Sequence, residues 1–167
     1  MNVLETARLA LRRLTPEDAP FILELVNEPS WLQFIGDKGV RTLDDARGYI
    51  QNGPMDMYAR LGFGLYLVEL KDGTPIGMCG LIKRPALEDV DIGFAFRPQF
   101  WGQGYARESA AAVLDHGRDA FKLKRIVAIT SPGNISSIRL LEKLGFEFEQ
   151  ELQLSPGDPV KLFGWSA

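Results

Sequence analysis

Apolar and polar positions alternate at Arg8-Leu9-Ala10-Leu11-Arg12, a period of two that predicts a half-buried strand. Thr15-Pro16-Glu17-Asp18 then supplies a capping residue, a proline at the first helical position and first-turn acids, predicting a helix to about residue 26. Over residues 27–40 the periodicity fails. Pro29, Trp31, Phe34, Gly36 and Gly39 collect there in a segment too long for an ordinary connection, which marks a candidate binding loop. Thr42-Leu43-Asp44-Asp45 opens a second helix with Leu43, Ala46 and Ile50 on one side, interrupted near Gly53-Pro54. Whether it resumes through Leu61 the pattern leaves open.

From Gly64 the period changes to two. Leu65 to Leu70, a turn at Lys71-Asp72-Gly73-Thr74 and a return from Pro75 to Ile82 predict a hairpin. Residues 90–96 form a further strand, with Val90, Ile92, Phe94 and Phe96 on one face and Asp89, Asp91, Gly93 and Ala95 on the other. Ala106, Ala110, Val113, Leu114, Gly117 and Phe121 recur at spacings of three and four, which describes a helix with an apolar stripe. A strand over Arg125 to Thr130 follows it, and strand, helix, strand points to parallel pairing. Asn134 caps a helix carrying Ile138, Leu141 and Leu144, Gly145 ends it, and strands follow around residues 146–152 and 160–165.

These elements describe one α/β (mixed α+β) domain spanning residues 1–167, and the length and 46% hydrophobic content suffice for a core of its own. Charge narrows the function: 19 Lys plus Arg against 22 Asp plus Glu gives no basic field for nucleic acid. No stretch of about 18 apolar residues suggests a membrane span, and the N-terminus lacks a basic region followed by an apolar one, so a cytoplasmic protein is expected. A single cysteine, Cys79, with a single histidine, His116, makes neither an internal disulfide nor a Cys/His zinc site, so no metal is implied.

The chemistry concentrates in Arg97-Pro98-Gln99-Phe100-Trp101-Gly102-Gln103-Gly104-Tyr105-Ala106, which leaves a strand and enters a helix with two glycines at the turn. Small residues there let an anion reach bare backbone N–H groups at the positive end of a helix, as a phosphorylated cofactor requires. A dinucleotide fingerprint would need a third glycine at Arg107, and a P-loop would need Gly-Lys-Ser/Thr, so both fail on spacing. An ordinary glycine-containing turn remains the simplest competing reading.

Gln99-Phe100-Trp101-Gly102-Gln103-Gly104 resembles the Gln/Arg-x-x-Gly-x-Gly/Ala diphosphate loop of the GNAT acetyltransferase superfamily at every fixed position. Asn134-Ile135-Ser136-Ser137 with Leu141-Glu142-Lys143-Leu144-Gly145-Phe146 resembles the branch that contains the RimJ and RimL ribosomal-protein acetyltransferases, and Glu5-Thr6-Ala7-Arg8-Leu9 is similar to that branch's first strand. The resemblance implies a mostly antiparallel sheet of about seven strands with a V-shaped splay and helices on both faces. It implies acetyl-CoA held by Gln99, Gly102, Gln103, Gly104, Tyr105, Ala106 and Arg107, with the pantetheine arm along Phe94, Ala95 and Phe96 and contacted by Asn134 and Ser137. The reaction implied is direct acetyl transfer to a primary amine, without metal or covalent intermediate. The oligomeric state is not legible.

Attack on a thioester needs a neutral amine and a proton for the departing thiolate. The tyrosine acid of many superfamily members has no counterpart, since Tyr49, Tyr58, Tyr66 and Tyr105 all precede or open the loop helix. Ser137, three residues after Asn134 and on its side of the helix, is the candidate acid, with plain capping as the alternative. Asp91 is the candidate base and acceptor contact, acting through water because aspartate is one methylene short of the family's usual glutamate; Asp89 and Glu88 are weaker choices. Trp31, Phe34 and Asp158 are candidates for the acceptor entrance, with core packing as the competing reading. Cys79 reads as a buried inert thiol and His116 as a solvated histidine. A weak or water-mediated base fits an N-terminal α-amine, pKa about 8, better than lysine at about 10.4. A small-molecule amine and a non-catalytic CoA-binding regulatory module are the alternatives.

Overall fold

Residues 2–167, described by the computed structural model, begin with two strands where the pattern predicts one. β1 (Asn2–Glu5) pairs antiparallel with β2 (Leu9–Arg13), and the turn between them closes through Thr6 N to Leu9 O at 2.9 Å. A four-residue edge strand is too short to show a period, and with it the sheet has eight strands among the described residues rather than about seven.

A 3-10 turn at Pro16–Asp18 leads into α1 (Ala19–Leu25). The expected loop that follows contains a short helix instead, α2 (Pro29–Phe34), started by a proline at its first position. α3 (Leu43–Ile50) is capped by Thr42, whose Oγ accepts from Asp45 N at 3.0 Å while Asp45 returns a carboxylate to Thr42 N. The interruption at Gly53-Pro54 is a π-helical segment, Gln51–Met55, after which α4 (Asp56–Leu61) resumes the helix. The wider turn accommodates a proline that has no N–H to give.

β3 (Leu65–Leu70) and β4 (Pro75–Ile82) form the expected hairpin. β5 (Asp91–Phe96), α5 (Tyr105–Ala120) and β6 (Arg125–Thr130) form the strand–helix–strand unit. α6 (Ile135–Lys143), β7 (Glu147–Gln153) and β8 (Pro159–Ser166) complete the chain. The strand order is β1-β2-β3-β4-β5-β6-β8-β7, and among the described residues only the β5–β6 pair is parallel.

Period-two alternation sends the sheet's side chains to two cores. Tyr66, Val68, Cys79, Leu81 and Ile92 meet Ala110, Val113 and Leu114 of α5 and Leu141 of α6 on one face. Leu67 and Met78 meet Ile22 and Leu25 of α1 and Ala46 and Ile50 of α3 on the other. Each such buried aliphatic side chain contributes about 1.5–3 kcal/mol relative to exposure, and Val127 of β6 packs in a third, smaller cluster with Leu87 and Leu162. Leu43, expected on the buried side of α3, is exposed.

Candidate active site

β5 and β6 share one register pair, Asp91 with Val127, fastened by Val127 N donating to Val90 O at 2.9 Å. Beyond it no further pairing connects them among the described residues, so the strands part toward Phe96 and Thr130. Backbone groups alternate sides along a strand, and Arg97 N donates to Ile76 O on the β4 side at 2.9 Å. Hence Phe94 and Phe96 turn their backbone groups toward the gap. Ala95, opposite Met78, turns its own toward β4, so backbone contact in the gap falls to its two neighbours. In open sheets such a gap at the carboxyl ends of parallel strands is where ligands bind.

The loop after β5 is tied back across this gap: Trp101 Nε1 donates to Phe96 O at 2.9 Å, with the indole still half exposed. Gly102 and Gly104 take φ of 74° and 83°, the left-handed region that glycine enters without strain. The first intrahelical bond of α5 is Glu108 N to Gly104 O at 3.0 Å. The amides of Gly104, Tyr105, Ala106 and Arg107 therefore have no helical partner and lie at the positive end of the helix. A β-carbon at Gly102 would meet no protein atom within 4 Å, so that side of the loop is open to a ligand. This amide cradle and the parted strands fit the diphosphate and the extended amide-bearing arm of a CoA molecule.

α6 begins on the other side of the gap, one tight turn after β6. Asn134 caps it, its Oδ1 accepting from Ser137 N at 3.3 Å, and Ser137 is half-buried while Ser136 is exposed. Ser131 Oγ donates to Phe34 O at 2.8 Å, which brings the end of α2 against the carboxyl end of β6. Phe34 thus stands beside the gap. Trp31 packs in the core with Leu14, Phe21 and Ile50, and its Nε1 has no partner among the described residues.

Asp91 is fully buried, which alternation alone did not reveal. Arg84 Nε lies 3.2 Å from each of its carboxylate oxygens. Burial pushes the carboxyl up to about 6, with the guanidinium opposing that rise. Tyr49 on α3 is raised to about 12 by burial, with Arg84 near enough to oppose it. Lys38, in the stretch between α2 and α3, is held below the usual lysine range by desolvation and by the charge of Arg84, with Asp158 of the β7–β8 loop pulling the other way. Segments far apart in sequence thus converge around Arg84, the partner of Asp91. Asp89 points elsewhere, bonding Arg125 at 3.0 Å.

Cys79 is buried, with burial holding its thiol up at about 12. His116 is half-buried rather than solvated: it stands edge-on to Phe121 and Tyr66, and desolvation lowers it. A concavity of about 640 Å³ bordered by Asn2, Arg12 and Asp18 lies at the β1–β2 edge, away from the gap. Its Arg12 is already paired with Asp18 and Glu69.

Residues 8–147 match the family model described as an acetyltransferase (GNAT) domain. The chain is 30% identical over 155 residues to an uncharacterized N-acetyltransferase, YoaA, of Bacillus subtilis, covering 90% of this chain and 86% of that one. Its fold superposes on a GNAT-family acetyltransferase of Bacillus anthracis with a TM-score of 0.81 at 25% identity, covering 98% and 97% of the two chains. It also superposes on RimL, a ribosomal L7/L12 alpha-N-protein acetyltransferase solved with coenzyme A, with a TM-score of 0.84 at 20% identity over 99% and 98%.

Proposed function

The chain belongs to the GNAT family of acetyltransferases, acting on an amine with acetyl-CoA as donor, and from that premise we propose that its acceptor is the free α-amine of a protein or peptide. The observation that carries this is the buried Asp91–Arg84 pair beside the gap. With a carboxyl near 6, Asp91 is a weak base, suited to a proton that is lost easily. An α-amine of pKa about 8 needs about 1.4 kcal/mol to be neutral at pH 7, whereas a lysine of about 10.4 needs about 4.6 kcal/mol. Lys38 and Arg84, near one another by their mutual charge effect, also disfavour an acceptor bearing several positive amines.

In this reading Gly104, Tyr105, Ala106 and Arg107 hold the CoA diphosphate with their amides, while Gln99, Gly102 and Gln103 shape the loop. Phe94 and Phe96 hold the pantetheine arm from the β5 side, with Ala95 filling the strand between them and Asn134 facing them from α6. Asp91, through a water, takes the proton of the acceptor amine. The amine nitrogen attacks the thioester carbonyl, the carbon–sulfur bond breaks, and Ser137 Oγ gives its proton to the departing sulfur while taking up the second proton that the nitrogen loses as the amide forms. Phe34 borders the acceptor side, and Trp31 supports it from the core.

Peptides with free N-termini, and the same peptides blocked at the N-terminus but carrying a free lysine, are incubated with acetyl-CoA while thiol release and acetyl incorporation are followed. Faster acetylation of the free N-termini is the expected result. Preference for lysine sinks the acceptor assignment. Turnover of neither, with turnover of small amines, moves the acceptor to a small molecule, and CoA binding without any turnover moves the protein to a regulatory module.

A further inference from the structure

The turn between β1 and β2 reaches across 95 to 102 residues of sequence to grip the first turn of α5. Arg8 Nε donates to Glu108 Oε1 at 2.7 Å, and Arg8 N donates to Glu108 Oε2 at 3.0 Å. Thr6 Oγ1 donates to the same Oε2 at 2.5 Å. The guanidinium also donates through Nη1 to Gln103 O at 2.9 Å and lies 4.4 Å over the Tyr105 ring. Its Nη2 would stand 3.3 Å from a β-carbon at Gly104. One side chain thus touches or flanks three consecutive positions of the glycine loop and helix start, Gln103, Gly104 and Tyr105, together with Glu108 across the turn.

Glu108 is the reason this matters for an anion. A first-turn carboxylate suits the helix dipole, yet it also stands where it would repel a diphosphate on the same amides. Burial would raise its carboxyl, but the bonds from Thr6 and Arg8 outweigh that and hold it below the usual range, so it is ionised. Arg8 cancels that charge while its bond to Gln103 O fixes the carbonyl before the glycine, turning the neighbouring amides outward.

We propose that Arg8 is a positioning residue for CoA, holding the loop over residues 103–105 in its binding shape and neutralising Glu108 beside the diphosphate site. This rests on the reading of the loop as the CoA diphosphate cradle.

The test is calorimetric titration with CoA together with steady-state kinetics, on the full chain, for Arg8→Met, Glu108→Gln and the double variant, with thermal melts as the folding control. Arg8→Met keeps the apolar stem over Tyr105 and removes the guanidinium. The expected result is a CoA Kd and an acetyl-CoA KM raised about tenfold, equivalent to ~1.4 kcal/mol, with kcat little changed. The double variant recovers most of that affinity because the uncancelled carboxylate is gone, and Glu108→Gln alone changes little. Affinity unchanged in Arg8→Met, or a double variant no better than Arg8→Met, overturns the proposal. If Arg8→Met does not fold, Thr6→Val carries the test: removing one of the two bonds to Glu108 Oε2 raises Kd by a smaller factor that Glu108→Gln again cancels, and no rise overturns it. Gly102→Val separates the two readings, since its β-carbon faces no protein atom. If Gly102→Val loses CoA while Arg8→Met keeps it, the positioning role alone falls; if both keep it, the loop assignment falls with it.

Discussion

Arg84 presents Nε at equal distances of 3.2 Å to the two oxygens of Asp91, from the stretch between β4 and β5 to the first residue of β5. A buried carboxylate held by a single guanidinium nitrogen stays only partly stabilised, which is why its pKa rises to about 6 despite the ion pair.

The first prediction follows from that value. If the ionised carboxylate is the base, kcat/KM rises with pH through about 6, and this limb is absent in Asp91→Asn, whose residual rate is also lower. The stability sign is opposite. A folded pKa above the unfolded 3.8 means the folded state binds the proton more tightly, so this residue's contribution is present below about 4 and is lost as pH rises through about 6. Melts between pH 4 and 7 on the parent and Asp91→Asn check the second half. A limb that persists in Asp91→Asn excludes Asp91 as its source.

Gly102→Val is expected to weaken CoA binding at least about tenfold by calorimetry, because φ of 74° disfavours a branched side chain and the new methyls enter the open side of the amide cradle. Retained affinity in a folded variant would place the diphosphate elsewhere.

Ser137→Ala should lower kcat by about 10²-fold while leaving the CoA Kd within a factor of two, since an acid for the leaving sulfur acts in the transition state. The helix start survives this change, because Asn134 Oδ1 accepts from the Ser137 backbone rather than its hydroxyl. Asn134→Ala, by contrast, should cost about 1 kcal/mol of stability, readable in urea melts. An unchanged kcat in Ser137→Ala removes it from the mechanism.

Trp101→Phe deletes only the indole N–H that holds Phe96 O. The freed carbonyl and a looser loop should raise the acetyl-CoA KM by a few-fold, about 1 kcal/mol for one hydrogen bond, with kcat nearly unchanged. A fall in kcat at constant KM would instead mean that the bond serves the chemical step.

Much of this was legible in local pattern. Alternation over residues 65–82 predicts the hairpin because each residue's face is set by its immediate neighbours, and Leu67 against Tyr66 and Val68 divides between the two cores as a period of two requires. The spacing of Gly102 and Gly104 before an apolar stripe located the loop, because left-handed turns and helix starts are written in a few consecutive residues. Asn134 was legible as a cap for the same reason.

What tertiary structure alone decided are the relationships between residues distant in sequence. The strand residues around Asp91 alternate regularly, but nothing local says that the fold buries its carboxylate and so raises its pKa, with Arg84 opposing the rise. The helix at Pro29–Phe34 was hidden, and the choice between core and acceptor entrance for Trp31 left open, because a six-residue helix shows less than two turns of pattern and takes its stability from packing. Arg8 read as a polar position on a strand, and only the fold sets it against Glu108 and Gln103, since a contact across about a hundred residues depends on how the sheet and α5 pack. The sequence by itself determined where most of the elements lie and which loop can receive a phosphate; the packed fold decided which charges meet, and therefore which carboxylate is basic enough to hold a proton near pH 6.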